Sequence, residues 1–62
     1  MPIVQIDWVE GRSIEQKREL AEKVTAAVVE AAKCPPEAVT IIIRDQPKTN
    51  IAKAGTLMAD KK

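Results

Sequence analysis

Histidine, tyrosine and phenylalanine are absent from this 62-residue chain, and cysteine and tryptophan occur once each. The missing histidine removes the side chain whose ordinary pKa suits acid–base work at neutral pH. The lone Cys34 permits no disulfide within the chain and, with no histidine to join it, no metal-ligand set. A single aromatic residue, Trp8, and a net charge of +1 spread over interspersed Lys/Arg and Asp/Glu leave no stacking platform and no basic stripe for nucleic acid. No apolar run approaches the roughly 20 residues of a membrane span. The N-terminus lacks the charged and apolar segments of a signal peptide, so a cytoplasmic, reducing setting is the expectation.

What is present is a hydrophobic content of 45% in one short domain, residues 1–62. A chain of this size buries only about 60% of the surface it exposes when unfolded. Small folds need a staple, and with disulfides and metals excluded the remaining one is association with other chains. "PIVQIDWV" places Val4, Ile6 and Trp8 on one face and Ile3, Gln5, Asp7 and Val9 on the other, predicting a strand over residues 3–9. Ser13 and Gln16 have the spacing of a capping box, opening a helix from Ile14 to about Lys33 with Leu20, Val24, Ala27, Val28 and Ala31 as its apolar stripe. "CPPE" ends it, because neither proline can donate to a helix. "AVTIIIRD" predicts a second strand, buried on both faces as in parallel sheets. The order is strand–helix–strand: an α/β (α+β) fold, a single βαβ unit with a right-handed crossover. The tail from Gln46 carries turn chemistry and predicts a short helical turn and a small hairpin.

Two residues stand out chemically. If Met1 is removed, Pro2 becomes a free secondary amine; an α-amino group has a reference pKa of about 7.7–8.0, far nearer neutrality than lysine. Desolvation or a nearby cation lowers it further, giving a general base at physiological pH. Arg12 stands just before the helix cap, and its guanidinium can bind a carboxylate through two parallel bonds. Cys34 has no adjacent base and reads as a packing residue. Glu15, Glu19, Glu22 and Glu30 fall mostly on the solvent side of the helix.

Pro2, the strand after it, "EGRS" with Arg12, "EQK" at the helix start, the isoleucine strand and "PKTNIAKAG" together resemble the 4-oxalocrotonate tautomerase (2-hydroxymuconate tautomerase) family over nearly the whole chain. The resemblance implies a hexamer built as a trimer of dimers, with no metal and no organic cofactor. It implies that Pro2 is the general base in keto–enol tautomerisation of 2-oxo acids and that Arg12 binds a substrate carboxylate. It makes the partners a small 2-oxo acid or dienol and further copies of this chain, a homohexamer. The sequence departs from the family pattern twice. Thr40 stands where a second arginine is usual, and Ile51 where a large aromatic is usual.

Geometry adds a constraint. Seven strand residues span about 23 Å at roughly 3.3 Å each, so Pro2 and Arg12 of one chain lie too far apart for one small substrate. Antiparallel pairing of two first strands about a dyad would bring Pro2 of one chain near Arg12 of the other. Thr40, Val9 and Ile51 are the further candidates to line the site, the latter two keeping it dry. Arg44, on the same strand face as Thr40 and about 13 Å beyond it, is the candidate to supply the missing cation; Lys48 and Lys53 are weaker ones. Two other functions stay open. A dehalogenase or hydratase would use protonated Pro2 as acid with Asp7 or Glu10 activating water. Alternatively, the chain is a weakly active or non-catalytic subunit of a hetero-oligomer.

Overall fold

The structure is a computed structural model that describes residues 2–61; Met1, on whose removal the reading of Pro2 depends, lies outside the described residues. Strand β1 (Ile3–Val9) leads into helix α1 (Ile14–Ala32), and the chain returns as β2 (Thr40–Gln46). β1 and β2 pair in parallel with no bulge, from Ile3 opposite Thr40 to Val9 opposite Gln46. The expected βαβ unit is therefore present. The tail forms a single 3₁₀ turn over Lys48–Asn50 and a hairpin of β3 (Ala52–Lys53) and β4 (Thr56–Leu57). Its two-residue connection, Ala54 and Gly55, has φ of +52° and +83°. Successive left-handed residues of this kind match the twist of paired strands.

Both ends of α1 follow from local chemistry. The Ser13 hydroxyl accepts from the Gln16 amide at 3.2 Å, and the Gln16 side chain accepts from the Ser13 amide at 2.8 Å, closing the capping box. Lys33, expected inside the helix, instead takes a left-handed conformation (φ +58°), and its amide donates to the Val29 carbonyl at 3.0 Å. The prolines that follow bar any continuation. On the surface, Lys23 and Glu19 pair at 2.6 Å, one turn apart.

Two expectations about burial need correction. The half-buried helix positions are Lys17, Leu20, Ala21, Val24, Thr25, Val28 and Val29, while Ala27 and Ala31 are exposed. The half-buried stripe thus takes in Ala21, Thr25 and Val29 beside Leu20, Val24 and Val28, in place of Ala27 and Ala31. Nor is β2 buried on both sides. α1 covers one face of the two-stranded sheet; on the other, Ile42 is 40% and Ile3 58% exposed, because no element among the described residues reaches that side.

No described residue is fully buried. The radius of gyration is 14.7 Å, against about 11 Å for a compact domain of this length. The accessible surface of 4874 Å² exceeds the roughly 4,000 Å² of a folded monomer of this mass. A flat slab with an isoleucine-bearing face has the shape of a subunit rather than of a finished globule. Thermal unfolding followed by circular dichroism is expected to shift to lower temperature on about a hundredfold dilution, as mass action requires when folding and association are linked. A midpoint independent of concentration would contradict this.

Candidate active site

The parallel sheet sorts the candidate residues between its two ends. At the start of both strands, Pro2 is half-buried, and its carbonyl accepts from the Thr40 amide at 3.0 Å. Pro2 and Thr40 are thus brought together within one chain. At the far end lie Val9, opposite Gln46, and then Glu10, whose amide extends the ladder to the Gln46 carbonyl at 2.9 Å. Gly11 follows with φ +112°, a conformation that side chains resist, and this turn delivers Arg12 to the surface. Ile51 leaves the 3₁₀ turn beyond β2, half-buried, with its carbonyl accepting from the Met58 amide at 2.7 Å. Seven strand residues, about 23 Å, separate Pro2 from Arg12, and the chain does not bring them together.

Each face of the sheet carries a cross-strand polar pair at this far end. On the open face, Arg44 grips Asp7 in a two-point contact, Nε to Oδ1 at 2.9 Å and Nη2 to Oδ2 at 3.2 Å, and Nη2 also reaches Gln5 at 3.4 Å. Gln46 donates to the same Asp7 Oδ1 at 2.9 Å. Arg44 is therefore engaged by a carboxylate of its own chain, which a substrate carboxylate would have to displace. Both oxygens of Asp7 are likewise occupied, which argues against Asp7 as a water-activating base. On the helix-covered face, Trp8 Nε1 donates to Asp45 Oδ1 at 2.7 Å, and Lys17 Nζ donates to Asp45 Oδ2 at 2.7 Å. The Arg12 guanidinium carbon sits 5.6 Å from the centroid of the Trp8 ring, within cation–π range.

The part played by Trp8, Asp45 and Lys17 was not visible from spacing. A signal existed: an indole N–H on a covered sheet face needs an acceptor, and Asp45 follows Arg44 onto that face by strand alternation. Among the described residues no group of His, Cys, Asp and Glu is arranged to hold a metal ion, and no helix is long and apolar enough to cross a membrane.

The comparisons with known proteins agree with this arrangement. The family model described as tautomerase enzyme matches residues 2–61. A probable tautomerase of Bacillus cereus is 44% identical over 61 residues, covering 98% of this chain and 100% of the relative. Among solved structures, YwhB, a homologue of 4-oxalocrotonate tautomerase, has a TM-score of 0.95 at 39% identity, covering 98% of this chain and 100% of that one. A heterohexameric 4-oxalocrotonate tautomerase from Chloroflexus aurantiacus has a TM-score of 0.94 at 39% identity, covering 100% of both chains. The fold is thus that of the tautomerase superfamily, a class of isomerases. Within it, this chain belongs to the tautomerase family and resembles the 4-oxalocrotonate tautomerase homologues.

Two carboxylates here titrate below the usual range. Asp7 is lowered first by its hydrogen bond from Arg44 and then by that from Gln46; Asp45 is lowered by Lys17 and then by Trp8. A carboxyl depressed in the folded state contributes stability above its ordinary pKa, and that stability is lost as pH falls through the lowered value. Stability is therefore expected to decline with acid below about pH 4. In Asp7→Asn the slope of stability against pH in that window should be shallower, as urea midpoints at several pH values would show. An unchanged slope would remove Asp7 from the account.

Proposed function

We propose that this protein is a cofactor-independent tautomerase that interconverts enol and keto forms of 2-oxo acids, with the Pro2 amine as general base and Arg12 of a neighbouring chain binding the substrate carboxylate. The observation that supports it most directly is the separation of Pro2 and Arg12 to opposite ends of β1, in a chain whose open sheet face needs a cover. Antiparallel pairing of the first strands of two chains about a dyad, along the outer edge of β1, would place the two groups in one site, and stacking of such pairs would cover the open face. A homohexamer is the assembly this reading adopts.

The chemistry conserves atoms and charge. The neutral Pro2 nitrogen takes the hydroxyl proton of the enol, the O–H electrons form the carbonyl, and the C=C electrons take the proton back from the ring nitrogen at carbon. The product is an isomer of the substrate and the amine is regenerated. Arg12 holds the carboxylate and draws density toward it as the enolate forms. Val9 and Ile51 supply apolar walls that disfavour the ammonium form of Pro2. Thr40, hydrogen-bonded through its amide to the Pro2 carbonyl, stands beside the base and leaves that end of the site without a guanidinium. Substrates with a single carboxylate, such as the enol of phenylpyruvate, are therefore favoured over dicarboxylates such as 2-hydroxymuconate.

A second reading has one observation in its favour: a neighbour in structure is a heterohexamer. On that reading the chain is one of two subunit types and works only beside the other. Purification of the chain alone separates the two. The first reading expects a hexamer that accelerates ketonisation of phenylenolpyruvate; an inactive or unassembled protein favours the second.

Two measurements test the first reading further. Intact mass should show that Met1 is gone, and a variant that retains an N-terminal extension should lose about 10²–10⁴-fold in kcat/KM, the range of a positioned acid–base group. Co-refolding equal parts of such an extended chain and Arg12→Ala, each inactive alone, should restore about a quarter of the sites, because half of the pairings at each position carry the intact group. No recovery on mixing would mean that Pro2 and Arg12 do not meet across chains.

A further inference from the structure

Arg12 is a long side chain on an exposed turn, and among the described residues it donates to no carboxylate. A guanidinium in that situation samples many rotamers and presents its fork poorly. The structure shows what restrains it. Trp8 lies beneath it, with 5.6 Å from ring centroid to guanidinium carbon. Trp8 is itself fixed: its Nε1–H donates to Asp45 Oδ1 at 2.7 Å, and Lys17 from the first turns of α1 holds the other oxygen, Oδ2, at 2.7 Å. The end of β1, the end of β2 and the start of α1 thus converge on one indole ring.

We propose that Trp8 is a positioning residue for Arg12, aimed by Asp45 and Lys17, so that the guanidinium meets a substrate carboxylate already oriented. This rests on the reading of Arg12 as the carboxylate-binding group. Two features of the geometry carry it. A cation held over a ring by its charge spends none of its N–H donors on the ring, so one Arg can rest on Trp8 and bind a carboxylate at the same time. Arg44 makes the contrast, its fork being closed on Asp7. Second, Asp45, which accepts from the indole beneath Arg12, is a carboxylate that could compete for it. Trp8 and Lys17 each take one of its oxygens, which keeps the competitor occupied as well as the ring aligned.

The test uses steady-state ketonisation of phenylenolpyruvate by the assembled protein, with assembly checked by sedimentation, for wild type, Trp8→Leu, Trp8→Phe, Arg12→Ala and the Trp8→Leu/Arg12→Ala pair. Trp8→Leu is expected to raise KM about two- to fivefold, the size an exposed cation–π contact carries, with kcat changed less. Trp8→Phe keeps a ring face but loses the N–H, and falls between; it also serves if Trp8→Leu does not assemble. In the Arg12→Ala background Trp8→Leu should add nothing. An unchanged KM in both Trp8 variants, or the same loss with and without Arg12, would overturn the proposal, since a merely structural Trp8 acts in either background. A readout independent of turnover separates this from failure of the tautomerase reading. Trp8 is the sole tryptophan and the chain has no tyrosine, so intrinsic emission reports this ring alone. Added pyruvate should alter that emission in wild type and not in Arg12→Ala. A wild type that converts no enol but keeps this response sinks the tautomerase reading and keeps the positioning; no response overturns the positioning.

Discussion

The parallel register of β1 and β2 is the constraint on which the rest of this molecule depends. Side chains alternate across a sheet, so the register decides simultaneously what faces α1 and what faces away. Here it sets Asp7 beside Arg44 on the open face and Trp8 beside Asp45 on the covered one, one step apart along the strands. A slip of one position would set Asp7 opposite Asp45 or Ile43 and break both pairs. Apolar pattern and charge pattern therefore specify the same alignment, and their agreement is what makes so short a sheet definite.

The chain is also built to be incomplete. One helix can cover one face of two strands, and among the described residues neither tail nor helix reaches the other. The same extended strand that leaves an uncovered face holds Pro2 and Arg12 about 23 Å apart. On the proposed reading, stability and chemistry share one requirement, a second chain paired along β1. This is a consistent solution for a protein with no disulfide and too little interior for a core of its own.

Much of this could be read from the residues. The capping box, the strand limits of β1, the parallel βαβ order and the tail hairpin were legible because each has a local cause: Ser13 with Gln16, alternation from Ile3 to Val9, the prolines after Cys34, the turn at Ala54–Gly55. The exact tilt of α1 was not, because Ala27 and Ala31 look as apolar as Ala21 and Val29 until the helix is set on the sheet. The uncovered side of β2 was missed for a similar reason: three successive isoleucines announce burial without saying whether the chain itself provides it. Pro2 and Arg12 emerged from their chemistry and from the family resemblance. The Trp8–Asp45–Lys17 chain lay hidden because it joins residues 28 and 37 positions apart, which only the register brings together.

Arg44 and Asp45 are neighbours in sequence yet serve opposite sides of the sheet, one toward the open face and one toward the indole beneath Arg12. Adding or deleting a residue inside β2 would exchange these duties in a single step, turning a carboxylate outward and a guanidinium under the helix. A change of length inside β2 therefore costs both sides of the sheet at once, whereas a substitution there touches one side only.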